Sequence, residues 1–382
     1  MIAVEENTML TLKPIEYEQN HLALVQNSKD IDLSMLYVNA LMKAENLTEA
    51  LSVSNAIDTN VKTPKNVWLQ RIAIYKQQKN QAQVLTTVES WIQANPYHIE
   101  PVLMIADHYV KQRQAETALQ YLDKALLNHH KDNLTLKIVK IQLLLDNGKV
   151  YEATALYKDP QFVSIKPALK SGIEGRIKLL EKDFASAADK LAPFYKAYPS
   201  SQNAILLSLA YRNNNQEGKA EAFLKQHLNN YAKDDRVRMI LANSYVATDH
   251  AKAIVEYEQL VTSQSKNIVV LNNLAWLTMD KGQLDKALKY SEMAYAIAPK
   301  HPSIVDTYGM ALFKSGKKAE AWKHLSEAFK LSNGQDISIA MNYAEVLIAN
   351  KRNNDALAVL NKLKPNSSAT IKRLNELKVL AQ

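Results

Sequence analysis

The sequence predicts an all-α protein, a solenoid of stacked helix-turn-helix repeats, and three observations carry that prediction. The chain has 8 Gly and 11 Pro in 382 residues, about a twentieth of its length where roughly an eighth is usual. So few turn formers cannot build many tight hairpins or a glycine-rich phosphate loop, which argues against sandwiches, propellers and dinucleotide folds. Side-chain size also repeats at a fixed interval. Leu271, Leu274, Ala275, Ala287, Ala294 and Pro299 have counterparts 34 residues on at Val305, Tyr308, Gly309, Ala321, Ala328 and Asn333. Val102, Ile105, Ala106, Tyr109, Ala118, Leu122 and Ala125 keep the same internal spacing. Finally, each unit holds a small residue, a second twelve later and a third seven after that, the spacing of two helices that must approach closely.

Taken in order, the units start near Ile31, Lys65, Ile99, Asn133, Ala168, Gln202, Asp235, Ile268, Pro302 and Ile337. The pattern is strongest at Ile99, Ile268 and Pro302. It is weakest at Lys65 and Asn133, where Ile72 and Lys140 occupy the small position. Turns between paired helices are marked by Asn147-Gly148, Lys281-Gly282 and Ser315-Gly316, and the ends of second helices by Pro96, Pro199 and Pro299. Residues 1–30 are expected to be a lead-in with one helix over Pro14–Gln26, turning Leu22 and Val25 inward; it reads equally as half a repeat or a lone cap. Residues 31–365 form the solenoid. Residues 366–382 form a capping helix with Ile371, Leu374, Leu377 and Leu380 as one apolar stripe.

The pattern resembles the tetratricopeptide repeat (TPR) family: bulky, then a large–small pair, an aromatic, then small, large, small and a closing proline. The resemblance covers almost the whole chain and implies a right-handed superhelix of about ten repeats, with the first helix of each repeat lining a concave surface that binds protein or peptide segments. On that surface the residues expected to meet a partner are Asp107, Tyr211, Asn243, Asn272, Trp276, Asp306, Met310, Phe313 and Glu345. Trp276 stands out because it follows the small position and projects into the groove. Trp68 and Trp91, at large positions, are expected in the core.

No catalytic constellation is present. There is no GxSxG, Walker loop or HExxH, and zero Cys removes disulfides, thiolate zinc sites and thiol nucleophiles. His129-His130, with Asp132 nearby, reads as a solvated turn. His98, Glu100 and His108 lack the three or four convergent ligands a metal needs. The expectation is a non-enzyme with no cofactor and no metal. The net charge of +8 is uneven, with +7 falling from Lys266 onward and +1 before it. Lys314, Lys317, Lys318 and Lys323 cluster at a turn edge, and no uniform basic groove exists, so nucleic acid is not expected. Asn243 and Asn273 match the asparagines of TPR domains that grip chaperone C-termini. Met239, Ser303 and Thr307 stand where that site needs cations, so this mode is rejected.

A narrower resemblance lies in LNNLAWL, AYAIAP and DTYG between Leu271 and Leu331. This stretch is similar to the C-terminal repeats of bacterial TPR lipoproteins that accompany the PEP-CTERM/exosortase system. It implies a scaffold of the bacterial periplasm or cell envelope working beside exopolysaccharide assembly. A cytoplasmic TPR adaptor, or the TPR portion of a polysaccharide export or biosynthesis enzyme system, is the alternative. The start of the chain does not read as a signal peptide, so membrane association is expected only through an anchor upstream of Met1. Oligomeric state is not legible.

Overall fold

A computed structural model describes residues 31–57 and 63–382; the helix expected over Pro14–Gln26 lies outside the described residues. Among the described residues there are 21 α-helices and no strand. They fall into two compact units, one ending at Lys182 and the other running from Asp183 to Gln382.

In the first unit, four helical hairpins follow one another: α1 Ile31–Lys43 with α2 Leu47–Ala56, α3 Lys65–Gln77 with α4 Gln81–Ala94, α5 Glu100–Lys111 with α6 Ala115–Asn128, and α7 Leu134–Asp146 with α8 Val150–Tyr157, before α9 Pro167–Leu180. Each helix packs on its neighbour in sequence, and first helices also touch across repeats (α1 on α3, α7 on α9). Trp68 and Trp91 are buried, stacked 6.3 Å apart, and each indole N–H has an acceptor, Asn95 Oδ1 and His98 Nδ1. The weak unit at Asn133 is irregular for a visible reason. α8 stops after 8 residues, and Pro160 opens a 3-10 turn over Pro160–Ser164 that drops Phe162 into the space where further helical turns would lie. Lys137, almost fully buried, is paired there with Asp159 and Gln161. Lys140, at the small position, reaches out to Asp123.

The second unit begins with α10 Phe184–Ala197. Five hairpins follow: α11 Ser201–Asn213 with α12 Glu217–Asn230, α13 Asp235–Tyr245 with α14 His250–Ser263, α15 Ile268–Asp280 with α16 Leu284–Ile297, α17 Pro302–Lys314 with α18 Lys318–Leu331, and α19 Ile337–Ala349 with α20 Asn353–Leu360. α21, Ser368–Leu380, closes the unit. First helices touch here too, α11 on α13, α15 on α17 and α17 on α19. Starts are fixed by side-chain caps: Ser200, Asp234, Asp249, Asn267 and Asp336 each accept a backbone N–H of the following helix. Ser367 caps α21 in a reciprocal box with Thr370.

The small residues do what their spacing requires. Ala275, Ala287, Ala294, Ala321 and Ala328 are all buried, and a Cβ on Gly309 would lie 2.7 Å from Leu325 Cγ, so α17 and α18 cross almost backbone to side-chain root. The turn inside every hairpin but α13–α14 carries one residue with a left-handed backbone, and the positions keep the repeat interval: Glu45, Lys79, Arg113 and Gly148 in the first unit, Asn215, Gly282, Gly316 and Lys351 in the second. Only three of these are glycines, the ones legible as turn signals.

The apolar stripe expected on the last helix is corrected. Leu374 and Leu377 are buried, whereas Ile371 and Leu380 are exposed. A strict interval of three lags the helical period of 3.6, so four such residues sweep around the axis and the outer two rotate out of the interface.

Candidate functional site

The first helices of the second unit, α13, α15 and α17, enclose a recess of about 340 Å³, completed by Tyr257 reaching in from α14. Asn243 and Val246 come from α13 and its C-terminal end, Asn272, Asn273, Trp276 and Leu277 from α15, and Thr307 from α17. The repeat builds this site directly: residues at equivalent positions of successive first helices fall side by side.

Tyr257 organises the polar floor. Its ring is buried and its hydroxyl donates to Asn243 Oδ1 at 2.5 Å while accepting from Asn273 Nδ2 at 2.9 Å. Burial pushes the phenol up from its ordinary value, so it stays protonated and donating. Both amides are thereby oriented, Asn243 keeping its Nδ2 donor and Asn273 its Oδ1 acceptor. Asn272 Oδ1 is buried with no hydrogen-bond partner, an acceptor that folding leaves unsatisfied. Trp276 forms the apolar wall and is 47% exposed. His250 meets its ring edge-on at 5.2 Å, and His250 Nδ1 lies 2.8 Å from Asp280 Oδ2, so the indole is braced from behind. No charged side chain lines the recess. Its chemistry suits hydrogen bonding to a neutral backbone with an apolar side chain laid on the indole.

The expected groove residues separate into three groups. Asn243, Asn272 and Trp276 are brought together in this recess. Tyr211, Asp306 and Met310 are corrected: all three are buried, since neighbouring helices pack over them, and the free protein does not present them as a surface. Tyr211 packs edge-on against Phe223 and under the Lys219 ammonium. Asp306 accepts from Asn342 Nδ2 at 2.7 Å, and burial pushes its carboxyl up to about 7 although that hydrogen bond opposes the shift. The remaining three lie outside the recess. Phe313 is half-buried beside Lys314. Glu345 is half-buried and already paired with Lys314 and, at 2.9 Å, with Arg373 from α21, which also donates to Asn342. Asp107 lies in the first unit, exposed and paired with Lys111.

Residue-by-residue reasoning confined to first helices missed Tyr257 and His250, which belong to α14. The signal for Tyr257 was an aromatic in a helix whose neighbouring first helices both offer an asparagine. The histidine constellations dissolve. His98 accepts from Trp91, Glu100 pairs with Lys65 and His108 contacts Gln81. His130 is buried rather than solvated. Among the described residues no group of three or more His, Asp or Glu could hold a metal ion, and no helix is long and apolar enough to cross a membrane.

Paired antiparallel helices, a 34-residue interval and small residues at the crossings define a helical-repeat fold of the kind tetratricopeptide-repeat proteins adopt. The sequence model for anaphase-promoting complex, cyclosome, subunit 3 matches residues 280–363. Among solved structures, the C-terminal part of a TPR repeat-containing protein from Cytophaga hutchinsonii superposes with a TM-score of 0.51 at 10% identity, covering 62% of this chain and 99% of that one. That likeness is one of fold. MamA AMB-1 gives a TM-score of 0.39 at 18% identity, over 46% of this chain and 96% of its own. Cut9–Hcn1, from an APC/C hetero-tetramer, gives 0.43 at 13% identity, over 94% and 85%. No curated protein sequence matches the chain.

Proposed function

We propose that the protein is a non-enzymatic docking scaffold that holds an extended segment of a partner protein across the first helices of its second unit, with Asn243, Asn273 and Trp276 as the principal contacts. The observation that carries this reading is the recess itself: two amides fixed in orientation by Tyr257, an unsatisfied Asn272 carbonyl and a half-exposed, braced indole. Exposed aromatic anchors beside oriented hydrogen-bonding groups are the usual centres of binding energy. With no cation in the lining, the site favours a neutral internal stretch of chain over a free C-terminal carboxylate.

We further propose that it works in the bacterial envelope beside exopolysaccharide assembly, as the resemblance of Leu271–Leu331 to exosortase-associated TPR lipoproteins implies. Immobilised wild type and a Trp276→Ala variant, compared for what they retain from a bacterial extract, test the docking role. Partners held by wild type and lost by the variant are the expected result, and an identical set on both overturns the groove assignment. Fractionation of cells carrying the full-length gene tests the location: recovery with the envelope is expected, and purely cytoplasmic recovery contradicts it.

A further inference from the structure

Two hairpin turns of the second unit carry a feature that the docking recess does not use. Lys317 and Lys318 stand in the turn between α17 and α18, and Lys351 and Arg352 stand 34 residues on, in the turn between α19 and α20. All four are exposed. Equivalent turns of successive repeats lie side by side, so the two basic pairs share one edge of the stack. Trp322, 38% exposed, follows Lys318 by one helical turn. The Arg352 guanidinium lies 5.8 Å from its ring centroid, which fixes the two turns as neighbours around the indole. Packing does not call for these charges. Lys317 and Arg352 hold N-cap positions with no side-chain hydrogen bond to the helix that follows, and a cation at the positive end of a helix dipole lowers stability. The three preceding second helices of this unit are capped by Gln216, Asp249 and Gln283. Nor do carboxylates neutralise the edge. Asp355 pairs with Arg352 at 2.7 Å and Glu345 with Lys314, but among the described residues Lys317, Lys318 and Lys351 have no ion-pair partner. Glu320 lies about 200° around α18 from Trp322.

We propose that this edge rests on an anionic phospholipid surface, with Trp322 entering the headgroup layer and Lys317, Lys318, Lys351 and Arg352 set against lipid phosphates. Charge complementarity and the indole together select that occupant. Turn tips on an edge protrude, so they meet a broad surface rather than enclose a small ligand. Each cation there gains independently from a negative lipid surface, with no need for carboxylates in a matching register. Tryptophan is favoured at the membrane–water boundary, where its ring is apolar on its face and its N–H stays hydrated. Long lysine and arginine stems lie along such a boundary while their charged heads reach the phosphates. The excess of +7 from Lys266 onward draws the same end of the chain toward negative surfaces. The contact is peripheral, since no helix among the described residues is long and apolar enough to cross a membrane, and one indole with a few cations gives reversible binding. It uses neither the recess nor its partner, so it stands or falls separately from the docking reading.

Flotation of the full chain with phosphatidylcholine vesicles, with and without phosphatidylglycerol, tests this. Wild type is expected to float with the anionic vesicles and not with the neutral ones. It should be released at about 1 M salt, where the screening length falls to about 3 Å. Each Lys or Arg near such a surface strengthens binding roughly five-fold, so Lys317→Gln/Lys318→Gln is expected to weaken it roughly 25-fold. Lys124→Gln/Lys131→Gln, which removes two exposed lysines of the first unit, is expected to leave it nearly unchanged. Brominated lipid in the anionic vesicles should quench the wild-type tryptophan fluorescence, and Trp322→Phe should remove that quenching while Trp276 remains. Thermal melts identify any variant that loses its fold, and the quenching readout does not depend on the lysine variants. A wild type indifferent to anionic lipid overturns the proposal, as does binding that Lys317→Gln/Lys318→Gln leaves intact or quenching that persists in Trp322→Phe. Retention of soluble polyglutamate without vesicle binding also overturns it and assigns the edge to an acidic protein.

Discussion

A close crossing in the second unit, at Gly309, gives a sharp test of the packing argument. Gly309 lies in α17 where it meets α18, and a Cβ added there would stand 2.7 Å from Leu325 Cγ and 3.2 Å from Leu325 N. Carbon–carbon contacts settle at roughly 3.5–4.0 Å, so Gly309→Ala demands about 1 Å of new space. The obstructing carbon is the branch point of Leu325 rather than its tip, and the nitrogen behind it belongs to the α18 backbone, so the helices themselves must part. Overpacking of this kind costs ~1–3 kcal/mol. Alanine returns ~1 kcal/mol of helix propensity over glycine, leaving a net loss of up to ~2 kcal/mol. Gly218, in the first turn of α12, is the internal control, because nothing lies within 4 Å of its added Cβ. Gly218→Ala keeps a propensity gain of up to ~1 kcal/mol. The same chemical change is therefore expected to have opposite signs at the two sites. Urea unfolding followed by far-UV circular dichroism reads both midpoints, and a Gly309→Ala midpoint at or above wild type refutes the crossing geometry.

Three further outcomes follow from the same physics. Ala294→Leu, at a fully packed small position, should lower stability by ~1–3 kcal/mol through overpacking, and an unchanged melting temperature contradicts the repeat register. Arg113 sits at φ 60°, a left-handed backbone that costs an L-residue ~1–2 kcal/mol; after glycine's own entropy is counted, Arg113→Gly should stabilise by ~0.5–1 kcal/mol, measured as a higher urea midpoint. Asp306 is held up at about 7 from an ordinary 3.8, chiefly by burial. Between those values the folded state binds more protons than the unfolded one, so its contribution to stability falls as pH rises through that window. Asp306→Asn removes the titration, so its advantage over wild type in urea midpoint should grow from pH 5 to pH 8; a difference independent of pH counts against an ionising Asp306.

Much of the fold was legible because a repeat states its register many times over. Helices begin at Ile31, Lys65, Glu100, Leu134, Pro167, Ser201, Asp235, Ile268, Pro302 and Ile337, within a residue or two of where the small-residue pattern sets them. The hairpin turns were harder to see, since Glu45, Lys79, Arg113, Asn215 and Lys351 adopt a left-handed backbone without being glycine; the helices on either side impose that conformation. The site was legible only in part. Periodicity puts Asn243, Asn272 and Trp276 on first helices, but it says nothing of depth. Whether a side chain such as Tyr211, Asp306 or Met310 faces a groove or is covered by the next helix depends on the size of its neighbours one repeat away. Tyr257 was hidden because its role comes from the two asparagines its hydroxyl ties together, a relation between three helices.

Hydrogen exchange on the full chain, alone and saturated with a partner it retains, tests the docking claim most directly. New protection is expected in α13, α15 and α17, around Asn243, Asn272, Asn273, Trp276 and Thr307, and should vanish with Trp276→Ala. Binding that leaves those three helices exchanging as before, while protecting others, contradicts it.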